Sequence, residues 1–297
     1  MRRLRVGTRR SALALAQARQ VAAALGDAEV VPIATADSAR GDKARFVRGI
    51  EEALLAGEVD LAVHSAKDVP GEATEGLELV GVPAREDPAD VLVGAAGPGE
   101  LRPGARVGTS SLRRRSQLLA LRPDLEVVEV RGNVDTRLRK LAEGEAEALV
   151  LAAAGLARLG RSGGGRYRFP ASEIVPAPGQ GALAIQARSG DGAAAAAAAA
   201  ITDRAALVEL TAERAAVAAL GGGCDTPLGV CARYMDGTLA VGGYAGLPDG
   251  SEWVRDAVRG DPEQPAALGE ALAERMLAAG AREVLERAAA AAREGAA

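Results

Sequence analysis

Short apolar runs alternate with stretches of helical period through most of this 297-residue chain. That alternation is the mark of an α/β protein with buried strands. Residues 4–7 predict a strand and residues 12–25 a helix, with Ser11 placed to cap it. Residues 30–34 predict a second strand. Residues 35–45 are polar and aperiodic, which predicts a mobile loop entering a helix at 46–56. Further strands are expected at 61–63, 77–82, 90–93, 126–130 and 148–151. The segment 83–90, PAREDPAD, has the composition of a linker or crossover.

Two segments echo each other. RVGTRRS at 5–11 and RVGTSSLRRR at 106–115 both read strand, Gly-Thr, polar turn, helix. The echo predicts two α/β domains built alike, each offering a helix N-terminus at its strand edge. Residues 181–188 predict a strand returning to the first of them. The alanine run 193–200 predicts helical filler, and residues 204–220 a helix that stops at Gly221-Gly222-Gly223. Two or three strands and a long helix from residue 264 make a small α+β third domain. Domain 1 is thus expected over 1–85 and 180–200, domain 2 over 86–179, and domain 3 over 201–297.

Composition narrows the class. Hydrophobic content is 48% and aromatic content 2%, so Ala, Val and Leu must build the core. The net charge of −4, from 36 basic and 40 acidic residues, argues against a nucleic-acid partner. Two cysteines make no disulfide framework. The apolar stretch 12–16 is too short for a signal peptide and is followed by Gln17 and Arg19. No apolar run reaches membrane-spanning length. A soluble, cytoplasmic monomer without a metal is expected.

The chemistry concentrates at strand ends. After the buried run 61–63, His64, Ser65, Lys67 and Asp68 arrive within five residues, and Pro70 stops the segment. Open α/β sheets bind ligands at such carboxyl edges. His64 is the single histidine of the chain. Arg9 lies beside the free N–H groups of the first helix, an anion site. Arg113, Arg114 and Arg115 are consecutive cations at a helix start, where the dipole disfavours them unless an anion sits close. Arg131, Arg137 and Arg158 also fall near strand ends. Several arginine forks imply a ligand with several carboxylates or phosphates. The chain has no GxxxxGK[ST] segment, which makes nucleotide phosphates the weaker choice. Cys224 sits on a glycine-flanked loop and is accessible to chemistry, whereas Cys231 lies in an apolar strand context and reads as packing.

The segments RVGTRRSALALAQ, LAVHSAKDVP, VGTSSLRRR, RGNVDTRL, AAAGLARLG, PAPGQGALAIQAR, TAERA and GGGCDTPLG resemble, in the same order, the porphobilinogen deaminase (hydroxymethylbilane synthase) family. The resemblance covers nearly the whole chain. It implies two α/β domains similar to periplasmic binding proteins flanking a cleft, and a small α+β C-terminal domain. It implies a dipyrromethane cofactor joined by a thioether to Cys224, and Asp68 as the catalytic group. Lys67, Ser65, Ser111, Arg113, Arg114 and Arg131 fall on cofactor-binding positions. Arg9, Ser11, Arg137 and Arg158 fall on substrate-binding positions. Lys43 and Phe46 match a lid motif, although Ala44 and Arg45 replace its Gly and Leu and the preceding loop is several residues shorter.

The implied reaction joins four porphobilinogen molecules to the cofactor. Each loses ammonia to leave a cation that a pyrrole carbon attacks, and hydrolysis releases hydroxymethylbilane. Asp68 would stabilise the cation and the arginines would neutralise the accumulating carboxylates. A ligand sensor of the same two-domain fold would explain the arginines but not Cys224 or Asp68. An ordinary cysteine-nucleophile enzyme would want a histidine beside its thiol, and His64 belongs to the Asp68 loop instead.

Overall fold

The computed structural model describes residues 3–34, 43–71, 74–161, 166–222 and 226–294. It divides into two compact units, one of Met1–Glu86 with Gly181–Leu207, the other of Asp87–Gln180 with Val208–Ala297.

The first unit is built on strands β1 (Leu4–Arg9), β2 (Ala28–Ile33), β3 (Leu61–Ser65), β4 (Leu77–Gly81) and the later β10 (Leu183–Arg188), in the order β2-β1-β3-β10-β4. β1 is parallel to both β2 and β3, while β10 is antiparallel to β3 and β4. The period-two alternation of a strand sends its side chains to two faces. On one face Val6, Leu61, Val63, Leu183 and Ile185 pack against Ala18 and Val21 of helix α1 (Ala12–Ala24). The same face takes Ala194 and Ala198 of helix α6 (Gly192–Ala200). The alanine run is therefore core packing rather than filler. On the opposite face Ala62 joins Ile50, Ala53 and Leu54 of helix α2 (Lys43–Leu55). The expected return of residues 181–188 to this sheet is observed as β10. α2 begins three residues before the expected helix, and residues 35–42 of the expected loop lie outside the described residues.

The second unit repeats the plan. Strands β5 (Asp90–Val93), β6 (Arg106–Gly108), β7 (Glu126–Val128), β8 (Ala148–Ala152) and β9 (Arg166–Arg168) lie in the order β7-β6-β8-β5-β9. β6 is parallel to β7 and β8, and β5 is antiparallel to β8 and β9. Helices α3 (Leu112–Leu121), α4 (Val134–Ala142) and α5 (Ala153–Arg158) follow β6, β7 and β8. β9 reads RYR and has no apolar run to betray it. The two sheets share three parallel strands, then one antiparallel strand, then an edge strand. In the first sheet the antiparallel strand comes late in the chain, in the second it comes early.

The echo between residues 5–11 and 106–115 has a steric cause. A Cβ at Gly7 would come within 2.9 Å of the Val59 side chain, and one at Gly108 within 2.5 Å of Val130. Both glycines permit close approach of the segment that packs over the strand end.

The same unit contains a three-stranded meander, β11 (Leu228–Met235), β12 (Thr238–Gly246) and β13 (Trp253–Gly260). Helices α7 (Arg204–Leu220), α8 (Pro265–Ala278) and α9 (Ala281–Glu294) accompany it. Ala212, Ala216, Val230, Val241, Leu272 and Met276 are central to its core. The long helix expected from residue 264 is two helices, broken where Gly280 takes φ +93° after the C-cap Ala279.

Candidate active site

In the first unit β1 and β3 are parallel neighbours, so their carboxyl ends reach the same sheet edge. β10 starts there too, with Leu183 opposite Ser65 and the Ala66 N–H donating to the Ala182 carbonyl at 3.0 Å. This edge collects Arg9 from the end of β1, Ser65 from the end of β3, and a single 3₁₀ turn, Ala66–Asp68. The turn leaves Lys67 and Asp68 half-buried at its surface. Ser11 caps α1 as expected, its hydroxyl accepting from the Ala14 N–H at 3.3 Å. A hydroxyl that accepts a cap bond keeps its proton to donate. His64 stands behind the turn, buried, and burial pushes its imidazole down to about 4.

In the second unit β6, β7 and β8 are parallel, and α3, α4 and α5 start at their carboxyl ends. Ser111 caps α3, accepting from the Arg114 N–H, and Asn133 caps α4, accepting from the Thr136 N–H at 2.9 Å. Arg113 and Arg114 follow at once. They are not a solvated patch: they are 4% and 6% exposed. The anion that makes this tolerable comes from the chain itself. Asp90, which opens β5, takes Arg113 Nη1 on Oδ2 at 2.6 Å and Arg114 Nε on Oδ1 at 2.9 Å. Arg113 Nη1 also donates to the Val175 carbonyl at 2.7 Å, and Arg114 Nη1 to the Val150 carbonyl at 3.0 Å. Gln180 Nε2 completes the ring by donating to Asp90 Oδ1 at 2.9 Å. Burial alone would raise the Asp90 carboxyl, but the two guanidiniums hold it well below the usual carboxylate range. Arg115 turns away and donates to the Val127 carbonyl at 2.9 Å.

Two buried guanidiniums thus share one carboxylate, which leaves a positive excess at this edge. Arg137 adds to it. It projects from α4, donates Nη2 to Ser110 Oγ at 2.9 Å, and leaves its buried Nε without a partner. Burial, with the charge of Arg114, lowers it to about 10. Arg131 is exposed and donates Nε to Glu129 at 2.7 Å. Arg158 ends α5, half-buried.

The structure therefore groups Arg9, Ser11, Ser65, Lys67 and Asp68 at one sheet edge and Ser111, Arg113, Arg114, Arg131, Arg137 and Arg158 at another. Cys224 lies outside the described residues, as do the side chains of Lys43 and Phe46 in the first turn of α2. Cys231 is buried with Val175 and Tyr244, in keeping with a packing role. Sequence reasoning missed Asp90 and Gln180. The available signal was an aspartate at the head of the fully buried strand DVLV, which requires a cationic partner. Gln180 was hidden in a turn-rich stretch.

These features define a class: an α/β protein of two like sheets, each presenting charged side chains at the carboxyl ends of its parallel strands. Comparison with known proteins narrows it. Residues 4–196 match the family model described as porphobilinogen deaminase, dipyromethane cofactor binding domain, and residues 207–278 match porphobilinogen deaminase, C-terminal domain. A porphobilinogen deaminase of Roseiflexus sp. is 46% identical, over 94% of this chain and 97% of that protein. Those of Thermus thermophilus and Rubrobacter xylanophilus are 46% and 48% identical, over 96% and 95% of this chain and 99% and 96% of theirs. The chain belongs to the porphobilinogen deaminase family. Similar solved structures include YhfZ from Shigella flexneri, at TM-score 0.36 and 18% identity over 73% of this chain and 96% of that one. The Bordetella pertussis BvgS periplasmic VFT2 domain scores 0.40 at 15% identity, over 67% and 86%.

Proposed function

We propose that this chain is a hydroxymethylbilane synthase, a transferase that joins four porphobilinogen molecules on a covalently held dipyrromethane and releases hydroxymethylbilane and ammonia. The observation that carries the reading is the positive excess at the edge of the second sheet. Arg113 and Arg114 share the single carboxylate of Asp90, and Arg137 has a buried Nε with no partner. A buried guanidinium cluster with a single carboxylate among its arginines keeps a net positive charge, which favours the binding of further negative charge. A ligand bearing several carboxylates provides it, and a growing chain of acidic pyrroles is such a ligand.

The residues fit the cofactor. A guanidinium has five N–H donors, so one that serves Asp90 retains donors for a ligand carboxylate. Arg113, Arg114, Arg131, Ser111, Ser65 and Lys67 would hold the dipyrromethane, with Cys224 as its thioether anchor. When bound, it supplies the pyrrole carbon on which the chain is built. Arg9, Ser11, Arg137 and Arg158 would receive the acetate and propionate groups of incoming porphobilinogen. Asp68 would set its carboxylate against the pyrrole N–H groups and stabilise the positive charge that develops as ammonia leaves. Lys43 and Phe46 would serve as lid residues. The division of labour follows three domains, over 1–85 with 180–200, 86–179 and 201–297, in a cytoplasmic monomer. Among the described residues no helix is long and apolar enough to cross a membrane.

The test is incubation of the purified holoprotein with porphobilinogen, following its loss and the appearance of uroporphyrin I after oxidation. Intact mass before incubation should exceed the sequence mass by one dipyrrole, and Cys224→Ser should abolish that increment. No consumption of porphobilinogen by protein carrying the adduct would sink the assignment. An adduct that survives Cys224→Ser but is lost in Cys231→Ser would move the anchor.

A further inference from the structure

Behind the Asp68 turn lies a buried polar chain that the proposed chemistry does not use. In the antiparallel register of β3 and β10, His64 faces Ala184 and Ala62 faces Gln186. Residues opposite each other, and those two apart, share a face of the sheet. His64 and Gln186 are therefore diagonal neighbours on one face, within reach of each other's side chains. Ala62 packs that face against α2, which carries the buried Glu51. Gln186 Nε2 donates to Glu51 Oε1 at 3.0 Å, and Thr74 Oγ1 donates to Glu51 Oε2 at 2.9 Å.

The directions of these bonds constrain the imidazole. With Nε2 committed to Glu51, the Gln186 amide turns its oxygen the other way, and that Oε1 is buried with no acceptor bond formed. His64 Nε2 is the other buried atom of this group without a partner. A proton on His64 Nε2, donated to Gln186 Oε1, satisfies both, and two buried unpaired polar atoms are costly to leave. A neutral imidazole has one N–H, so Nδ1 is then the bare nitrogen.

We propose that the buried chain His64–Gln186–Glu51 places the single proton of the imidazole on Nε2, and that this makes His64 a positioning residue for Asp68. It rests on the reading that Asp68 acts through its negative charge. The charged groups around His64 are Asp68 on the turn, Arg9 on β1 and, through Gln186, Glu51 on α2. Burial disfavours the imidazolium and outweighs the Gln186 acceptor and Asp68, which favour it, while Arg9 opposes it. A charged imidazole behind the turn would neutralise Asp68 from within the protein. A neutral one fixes the end of β3 and leaves the carboxylate's charge for the ligand.

Because His64 is the single histidine, its ring nitrogens are observable by ¹⁵N NMR without assignment. The holoprotein at pH 7 should show a neutral imidazole protonated on Nε2. Gln186→Leu should mix the two neutral forms and lower kcat by about tenfold with KM little changed, the low end of what the loss of a histidine's orienting partner costs. An imidazolium, or a proton on Nδ1, in the unmodified protein overturns the proposal and needs no variant to fold. So does a Gln186→Leu protein with unchanged tautomer and unchanged kcat. Asp68→Asn separates the two readings. It should remove activity while leaving the tautomer in place, and an active Asp68→Asn protein would defeat the role of Asp68 without touching the buried chain.

Discussion

At the scale of single residues the two sheet edges set their side chains different tasks. Asp68 sits half-buried on a one-turn 3₁₀ segment, and the role proposed for it is electrostatic. Asp68→Asn keeps the size and removes the charge, so turnover should fall by roughly 10²–10³, as when one preorganised stabiliser is lost. Asp68→Glu keeps the charge and should retain measurable activity. Single-turnover porphobilinogen consumption by cofactor-loaded proteins decides it, and equal rates for the wild type and the Asn variant would refute the role. His64 makes a prediction about stability. Its imidazole titrates near 4 in the folded protein against an ordinary 6.5. The unfolded chain therefore binds the extra proton throughout that interval, and stability rises with pH across it. Taking the protein from pH 6.5 to 4 should remove up to roughly 3 kcal/mol through this group alone. Urea titrations at several pH values measure it. In a His64→Gln protein the acid-side loss should be smaller, and an identical loss would show that other groups carry it.

At the scale of elements the decisive joint is between α3 and β5. The first turn of α3 places two arginines in a buried site, and the first residue of β5 answers them. Removing one member of a buried ion network leaves charges uncompensated, typically at a cost of about 3–5 kcal/mol. Asp90→Asn should therefore lower unfolding stability by an amount in that range, seen as a shift of the denaturation midpoint without a change in slope. A loss under ~1 kcal/mol would mean that the site relaxes and admits water. The exposed arginine behaves differently. Arg131→Leu should leave stability within about 0.5 kcal/mol, because a surface pair such as Arg131–Glu129 contributes little. Arg137→Leu should also fold, since its buried Nε has no partner to lose. Both variants should instead assemble less dipyrromethane or accumulate partly extended chains, detectable by intact mass. Normal loading and normal kinetics in both would show that neither arginine serves the ligand.

At the scale of the whole molecule, the C-terminal meander belongs to the same unit as the second five-stranded sheet. The joint is specific. The Ser116 and Tyr244 hydroxyls hydrogen-bond at 2.8 Å, tying α3 to β12. Arg255 of β13 lies 5.6 Å from the Tyr244 ring centre and donates Nη2 to Gln117 Oε1 at 3.2 Å and to the Glu173 carbonyl at 3.0 Å. Gln117 in turn binds both the N–H and the carbonyl of Val175, the carbonyl that Arg113 also uses. Glu213 of α7, from the TAERA segment, accepts from the N–H groups of Gly179 and Ala232 at 2.6 and 2.7 Å. The arginine cluster and the meander are thus linked by one continuous network. Arg255→Leu should cost about 1–3 kcal/mol, as expected when part-buried acceptors lose hydrogen bonds to a charged donor. Hydrogen exchange should then accelerate in α3 and β12 together, and acceleration confined to β13 would show that the two sheets open independently.

The sequence alone specifies the alternation of strands and helices, because apolar period and turn residues act over a few neighbours. It determined the pairing of RVGT segments, because a glycine that admits a close neighbour tolerates no side chain. It marked Asp68 and the arginines, because charged groups at the end of a buried strand stand out against their surroundings. What those groups touch is settled only by the packing of the chain in three dimensions. Arg113 and Arg114 meet Asp90 only because β5 runs antiparallel beside β8, which carries a residue 23 positions away from Arg113 to the same sheet edge. His64 meets Gln186 only because β10 returns beside β3, and Glu51 reaches them only because α2 covers that face. Strand register and helix placement are set by burial summed over the whole core, and that sum fixes which distant charges become neighbours.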